Sequence, residues 1–124
     1  MINKKGILIV DDSELDRSIL ADILQEKYKV FTAANGRDAL AVLHENGDHI
    51  AVILLDLYMP VMNGYEATAA IRSLPGEQGK LPIVAMTANA FAEDVQLAKN
   101  TGMNGHIAKP LDMNKLNDVL ESWL

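Results

Sequence analysis

The chain has no cysteine, which excludes both a disulfide framework and a thiolate metal site and fits a reducing compartment. No apolar run approaches the ~18 residues that a membrane helix needs, so membrane insertion is not expected. The basic start Met1-Ile2-Asn3-Lys4-Lys5-Gly6 leads into only four apolar residues, Ile7 to Val10, too few for a signal-peptide core. Basic residues are thinly spread, eleven Lys and Arg against seventeen Asp and Glu, for a net charge of −6. Such a surface argues against direct nucleic-acid binding, and its plainest role is solubility. Neither G-x-G-x-x-G nor a P-loop occurs, since Gly76-Glu77-Gln78-Gly79-Lys80 has the wrong spacing. His44, His49 and His106 are scattered and form no zinc pattern. Internal repeats, linkers and low-complexity segments are missing too. What remains is 124 residues, 49% of them hydrophobic: enough for one domain, residues 1–124, with its own core.

Within that length, Ala51-Val52-Ile53-Leu54-Leu55 runs without a break into Asp56. A continuous apolar run of this kind suits a strand covered on both faces. Other segments alternate around it. Ile7 to Val10 reads as a first strand ending in Asp11-Asp12, and Leu15, Ile19, Leu20, Ile23 and Leu24 give a helical face behind the N-cap candidate Ser13. Residues 30–34 and 51–56 read as strands two and three, residues 82–87 as strand four, and residues 105–108 as strand five. Helices are predicted around Ala39 to Leu43, Tyr65 to Ile71, residues 90–100, and Met113 to Trp123. Strand then helix, repeated five times, predicts an α/β fold of the flavodoxin-like (βα)5 type. This is a three-layer sandwich with a doubly wound parallel sheet. The most apolar strands belong in the centre, which gives the order 2-1-3-4-5.

Ligands in such sheets bind at the carboxyl ends of the strands. There the sequence places Asp11-Asp12, Asp56, Thr87 and Lys109. With strands ~4.8 Å apart, Asp12 and Thr87 should flank Asp56, and Lys109 should start roughly 10 Å away, a gap its flexible stem can largely cover. Taken singly these residues have ordinary readings: helix-entry acids, a cap or turn threonine, a solvated lysine, a loop aspartate. Together at four strand ends they mark a site. Carboxylates this close repel one another unless a cation joins them, and Mg²⁺ takes oxygen donors of this kind. Asp56 beside a metal and a lysine is arranged to attack phosphorus and carry an acyl phosphate, with Thr87 donating one hydrogen bond.

The sequence resembles the receiver domains of two-component response regulators along its whole length. The resemblance is carried by Ile7 to Asp12, by Leu54-Leu55-Asp56-Leu57-Tyr58-Met59-Pro60 with Gly64, by Met86-Thr87-Ala88 and by Lys109-Pro110. It implies that Asp56 accepts a phosphoryl group from a phosphohistidine on a histidine kinase or a histidine phosphotransfer domain. It implies that Asp11, Asp12, Asp56 and the backbone carbonyl of Tyr58 bind Mg²⁺, and that Thr87 and Lys109 contact the phosphoryl group and carry a conformational switch. The wording around Gly64-Tyr65-Glu66 and Met86 to Phe91 is most similar to receivers attached to hybrid histidine kinases. The family places such a chain in the cytoplasm, or on the cytoplasmic side of a membrane within a hybrid kinase. It also admits a homodimer formed on phosphorylation.

Tyr58 and Asn89 fall two residues after Asp56 and Thr87. In receivers these rim positions govern how water reaches the acyl phosphate. His106 stands where many receivers carry Tyr or Phe, which puts the usual coupling to Thr87 in doubt; the plain alternative is an edge-strand surface histidine. The thin apolar face of helix four (Phe91, Val95 and Ala98) points to output through helix four, strand five and helix five. The Lys109-Pro110 bond is a candidate cis peptide. Two other readings compete. A phosphorylation-independent interaction module on the same fold is favoured when acidic or lysine positions are missing, and none is. An aspartyl phosphatase needs a carboxylate where this chain has Tyr58, so turnover of an external substrate is not expected, and the chain reads as no enzyme beyond its own phosphorylation.

Overall fold

A parallel sheet of five strands in the order β2-β1-β3-β4-β5 forms the centre of the molecule. The computed structural model describes residues 5–59, 61–87, 92–109 and 111–124, with backbone alone for 92–95. The elements are β1 (Gly6–Val10), α1 (Glu14–Leu24), β2 (Lys29–Ala33), α2 (Gly36–Asn46), β3 (Ile50–Asp56), α3 (Gly64–Arg72), β4 (Ile83–Thr87), α4 (Ala92–Thr101), β5 (Gly105–Ala108) and α5 (Met113–Trp123). Short 3-10 turns occupy Gly47–His49 and Gly76–Lys80. This is the predicted fold and strand order. Asn89, Ala88, Phe91, Pro60 and the Lys109-Pro110 bond lie outside the described residues.

Why β3 is apolar throughout is visible in its surroundings. Side chains alternate across the sheet. Ile53 and Leu55 join Leu8, Val10, Ile83 and Ala85 against α2, α3 and Ala98 of α4. Val52 and Leu54 join Ile7, Ile9, Val84 and Met86 against Leu20 and Leu24 of α1 and Leu116 and Leu120 of α5. Residues 52–55 are all 0% exposed. Each large side chain so buried contributes about 1.5–3 kcal/mol, which makes β3 a stiff support for the residue that follows.

Helix starts are fixed by side-chain caps. Ser13 Oγ accepts from Asp16 N at 3.2 Å, and Asn63 and Glu66 form a reciprocal capping box at the head of α3. Helix α1 departs from its predicted face. Leu20 and Leu24 are buried, but Leu15, Ile19 and Ile23 are 69%, 49% and 44% exposed. These three recur every fourth residue as a separate ridge, about 100° round the helix from Leu20 and Leu24, and the sheet covers only the latter. No helix among the described residues is long and apolar enough to cross a membrane.

Candidate functional site

At the carboxyl edge of the sheet, Asp56 ends β3 opposite Met86 of β4. The chain then turns sharply: Leu57 N donates to Met86 O at 3.1 Å and Gly64 N to Leu57 O at 2.9 Å. A Cβ at residue 64 would lie 2.7 Å from both Asp56 O and Leu57 Cα. Only glycine allows α3 to start that close beneath Asp56. On the other side, Asp11 follows β1 and its N–H donates to Ala33 O at 3.1 Å. Lys109 follows β5, held where its N–H donates to Thr87 O at 2.8 Å.

The side chains of Asp11, Asp12, Asp56 and Lys109 come together at this edge. Asp11, Asp12 and Asp56 each offer a carboxylate oxygen, all within 4.8 Å of one another. Lys109 Nζ lies 3.1 Å from Asp11 Oδ2, 3.5 Å from Asp56 Oδ2 and 3.9 Å from Asp16 Oδ2. Thr87 is buried at the end of β4. Within the acidic pair the two members differ: Asp11 is 1% exposed, whereas Asp12 faces solvent. Asp11 Oδ1 also accepts from Ser13 N at 3.0 Å, which orients the carboxylate. Two residues that were not singled out as site residues take part. Arg17 Nη1 donates to the backbone carbonyl of Asp11 at 2.6 Å, and Asp16, in the first turn of α1, faces Lys109. Their spacing on the first turn after Asp11-Asp12 was the available signal.

Burial pushes the Asp56 carboxyl up to about 6; Lys109 opposes this, Asp11 and Asp12 add to it, and the Tyr58 N–H, which donates to Oδ1 at 3.4 Å, opposes it. Burial alone would lower the Lys109 ammonium, but its hydrogen bond to Asp11 and the charges of Asp56, Asp11 and Asp16 outweigh that and raise it. One ammonium thus faces more negative charge than it can neutralise. Three oxygen donors, one of them open to water, form a donor set suited to a hard divalent cation.

Tyr58 and His106 sit at the periphery. Tyr58 is half-exposed at the rim. His106 is exposed on β5 and lines a groove with Asp112, Lys115, Asp118 and Val119. A second groove, of about 590 Å³, opens directly from the acidic site. Asp11, Asp16 and Lys109 form one end of it, and Ile19, Ile23, Leu111 and Met113 line its apolar length.

The sensor histidine kinase RcsC of Escherichia coli K12 is 41% identical over 115 residues, covering 92% of this chain and 12% of RcsC. The CAI-1 autoinducer sensor kinase/phosphatase CqsS of Vibrio cholerae is 32% identical over 123 residues, covering 98% of this chain and 18% of CqsS. The chain therefore spans under a fifth of the length of either relative. Among solved structures, the Vibrio cholerae chemotaxis protein CheY4 superposes with a TM-score of 0.89 at 36% identity, over 98% of this chain and 99% of that one. The receiver domain of the Saccharomyces cerevisiae response regulator Ssk1, solved with the phosphotransfer protein Ypd1, belongs to a match with a TM-score of 0.86 at 29% identity, over 99% of this chain and 90% of that one. A family model described as the response regulator receiver domain matches residues 7–121. That match runs from β1 through most of α5, so the shared part is the whole fold that carries the site, and the chain belongs to the response regulator receiver domain family.

Proposed function

We propose that Asp56 accepts a phosphoryl group from a phosphohistidine, on a histidine kinase or a histidine phosphotransfer domain, and that the modification shifts the domain between two conformations. The observation that carries this reading is the single lysine ammonium within 3.5 Å of both buried carboxylates, Asp11 and Asp56. Asp56 Oδ attacks phosphorus as its O–P bond forms, and the P–N bond to the imidazole breaks with the electron pair leaving on nitrogen. Lys109 is placed to offset charge on the phosphoryl oxygens, and Thr87 to donate one hydrogen bond to them. Asp11, Asp12 and Asp56, with the Tyr58 carbonyl, are the residues that would hold Mg²⁺. When bound, that ion supplies charge neutralisation for the phosphoryl group and relieves the repulsion among the three acids.

The reading needs no turnover of an external substrate. Its donor is supported by the named relatives, which are sensor kinases, and by the solved complex of a receiver with a phosphotransfer protein. The apolar groove on α1 leads straight to Asp11 and Lys109, which suits a donor that must bring a histidine to this edge. Output through α4, β5 and α5 fits the exposed Leu97 on α4 and the groove beside His106. Near-complete switching would need about 5.5 kcal/mol of differential stabilisation by the phosphoryl group. The test is labelling by acetyl phosphate with Mg²⁺. The unaltered chain should label, and chelation of the metal or Asp56→Asn should abolish it. Metal-dependent labelling that persists in Asp56→Asn would refute the assignment.

A further inference from the structure

Arg72, the last residue of α3, uses every donor it has. Nε and Nη2 donate to Gly102 O at 3.0 and 2.8 Å, Nη1 to Gly79 O at 3.0 Å and Leu81 O at 2.7 Å, and Nη2 also to Asn104 Oδ1 at 2.7 Å. A guanidinium has five N–H groups in a rigid fork, and here all five are engaged. The acceptors are backbone carbonyls and one amide oxygen, drawn from the turn before β4 and from the turn between α4 and β5.

The same knot continues beyond the arginine. Asn104 Oδ1 accepts from Ile83 N at 2.9 Å while Asn104 N donates to Ile83 O at 2.8 Å. Residue 104 is thereby locked to the start of β4. Met103 N donates to Ala98 O at 3.0 Å and Gly102 N to Lys99 O at 3.0 Å, which closes the C-terminus of α4. Gly102 takes φ +112°, and a Cβ there would lie 3.3 Å from Arg72 Cγ, so the arginine stem lies tight against this turn. The described part of α4 ahead of this turn is held far less. Among its described side chains, residues 96–101, Ala98 alone is buried, and Leu97 is 50% exposed.

A helix tied firmly at its C-terminal end, with one buried side chain among those described, has one soft motion, a swing about the tied end. We propose that Arg72 is the positioning residue that fixes the C-terminal end of α4, so that a rearrangement begun at Thr87 swings the helix about Gly102 rather than sliding it. The clamp is independent of phosphorylation; the swing rests on the phosphoacceptor reading.

Amide hydrogen exchange and amide chemical shifts test the two parts. In the unmodified chain, Arg72→Lys keeps the charge but cannot reproduce the fork. Exchange at Ile83, Gly102, Met103 and Asn104 should rise about tenfold, the scale of one lost hydrogen bond, with β1 and β3 unchanged. Asn104→Ala, at a solvent-exposed residue, removes two links of the same knot and should give the same pattern if Arg72→Lys folds poorly. Unchanged exchange at these amides overturns the clamp. With Mg²⁺ and beryllium fluoride as a phosphoryl mimic, shift changes in the unaltered chain should fall along α4 and be smallest at residues 102–104. In Arg72→Lys they should spread through 102–104, which a merely structural role would not produce. Changes that are largest at 102–104 in the unaltered chain overturn the swing. No shift anywhere would mean that the phosphoacceptor reading fails and takes the swing with it, while the clamp is still decided by exchange.

Discussion

Lys109 donates to Asp11 Oδ2 at 3.1 Å, a contact that joins the far end of β5 to the end of β1 across two intervening strands. Asp11 and Asp56 are both buried, and the lysine is placed between them. Removing it leaves two acids close together with no counter-charge. Lys109→Met should therefore lower stability at pH 7 by about 2 kcal/mol, between the values for exposed and buried ion pairs. Millimolar Mg²⁺ should restore part of the loss by entering the same acidic cluster. Urea unfolding with and without the metal checks both. A loss below about 0.5 kcal/mol would show that solvent already screens these charges.

Asp56 carries the opposite lesson about stability. Its folded pKa of about 6 stands above the ordinary 3.8. The folded chain therefore binds the Asp56 proton more tightly than the unfolded chain does. The stability this contributes is fully present below pH 3.8 and is lost as pH rises through about 6. At neutral pH the ionised Asp56 strains the fold by on the order of 3 kcal/mol. Asp56→Asn should be more stable than the unaltered chain at pH 7.5, with the gap closing toward pH 4. Urea midpoints across that range decide it, and a gap independent of pH would sever the effect from Asp56 ionisation.

The contrast between these residues shows what a sequence exposes. Val52 to Leu55 were legible as a doubly covered strand because burial on both faces leaves no polar position. Asp56, Thr87 and Lys109 were legible because each ends a strand, and parallel strands bring their ends together. Which of Asp11 and Asp12 faces inward was not legible, since adjacent residues share every local signal and only the fold separates them. Leu15, Ile19 and Ile23 were grouped with Leu20 and Leu24 on one face because periodicity reports an apolar face without saying what covers it. Arg72 left no signal as a clamp, because four of its five bonds end on backbone carbonyls, which every residue possesses.

Val61 sits in the loop below Asp56 with φ +70°, a left-handed conformation that β-branched residues rarely adopt. Its side chain is 68% exposed, so no burial offsets the strain. The loop is pinned on its far side by Met62, which packs where a Cβ at Gly36 would lie 2.8 Å from the Met62 sulfur. Asn tolerates the left-handed region, and Val61→Asn should stabilise the chain by about 1 kcal/mol, with Val61→Ala in between. Thermal or urea unfolding of the series tests this. A destabilised Val61→Asn would mean that the exposed isopropyl group makes a contribution larger than the backbone strain it imposes.

The exposed ridge on α1 yields the last prediction. Ile19 and Ile23 are near half-exposed, and they line the groove that ends at Asp11 and Lys109. A small donor such as acetyl phosphate needs only the acidic end of that groove. A protein donor must also seat a surface against its apolar length, and isolated side chains at the centre of such contacts often carry more than 1 kcal/mol. Ile19→Arg should thus leave stability within about 0.5 kcal/mol, as for most surface substitutions. It should also leave labelling by acetyl phosphate intact, and slow transfer from a phosphorylated histidine phosphotransfer domain by about tenfold or more. Parallel measurement of the two donors separates docking from chemistry. Equal slowing with both would place the effect at Asp56 itself, and no slowing with either would remove this ridge from the docking surface.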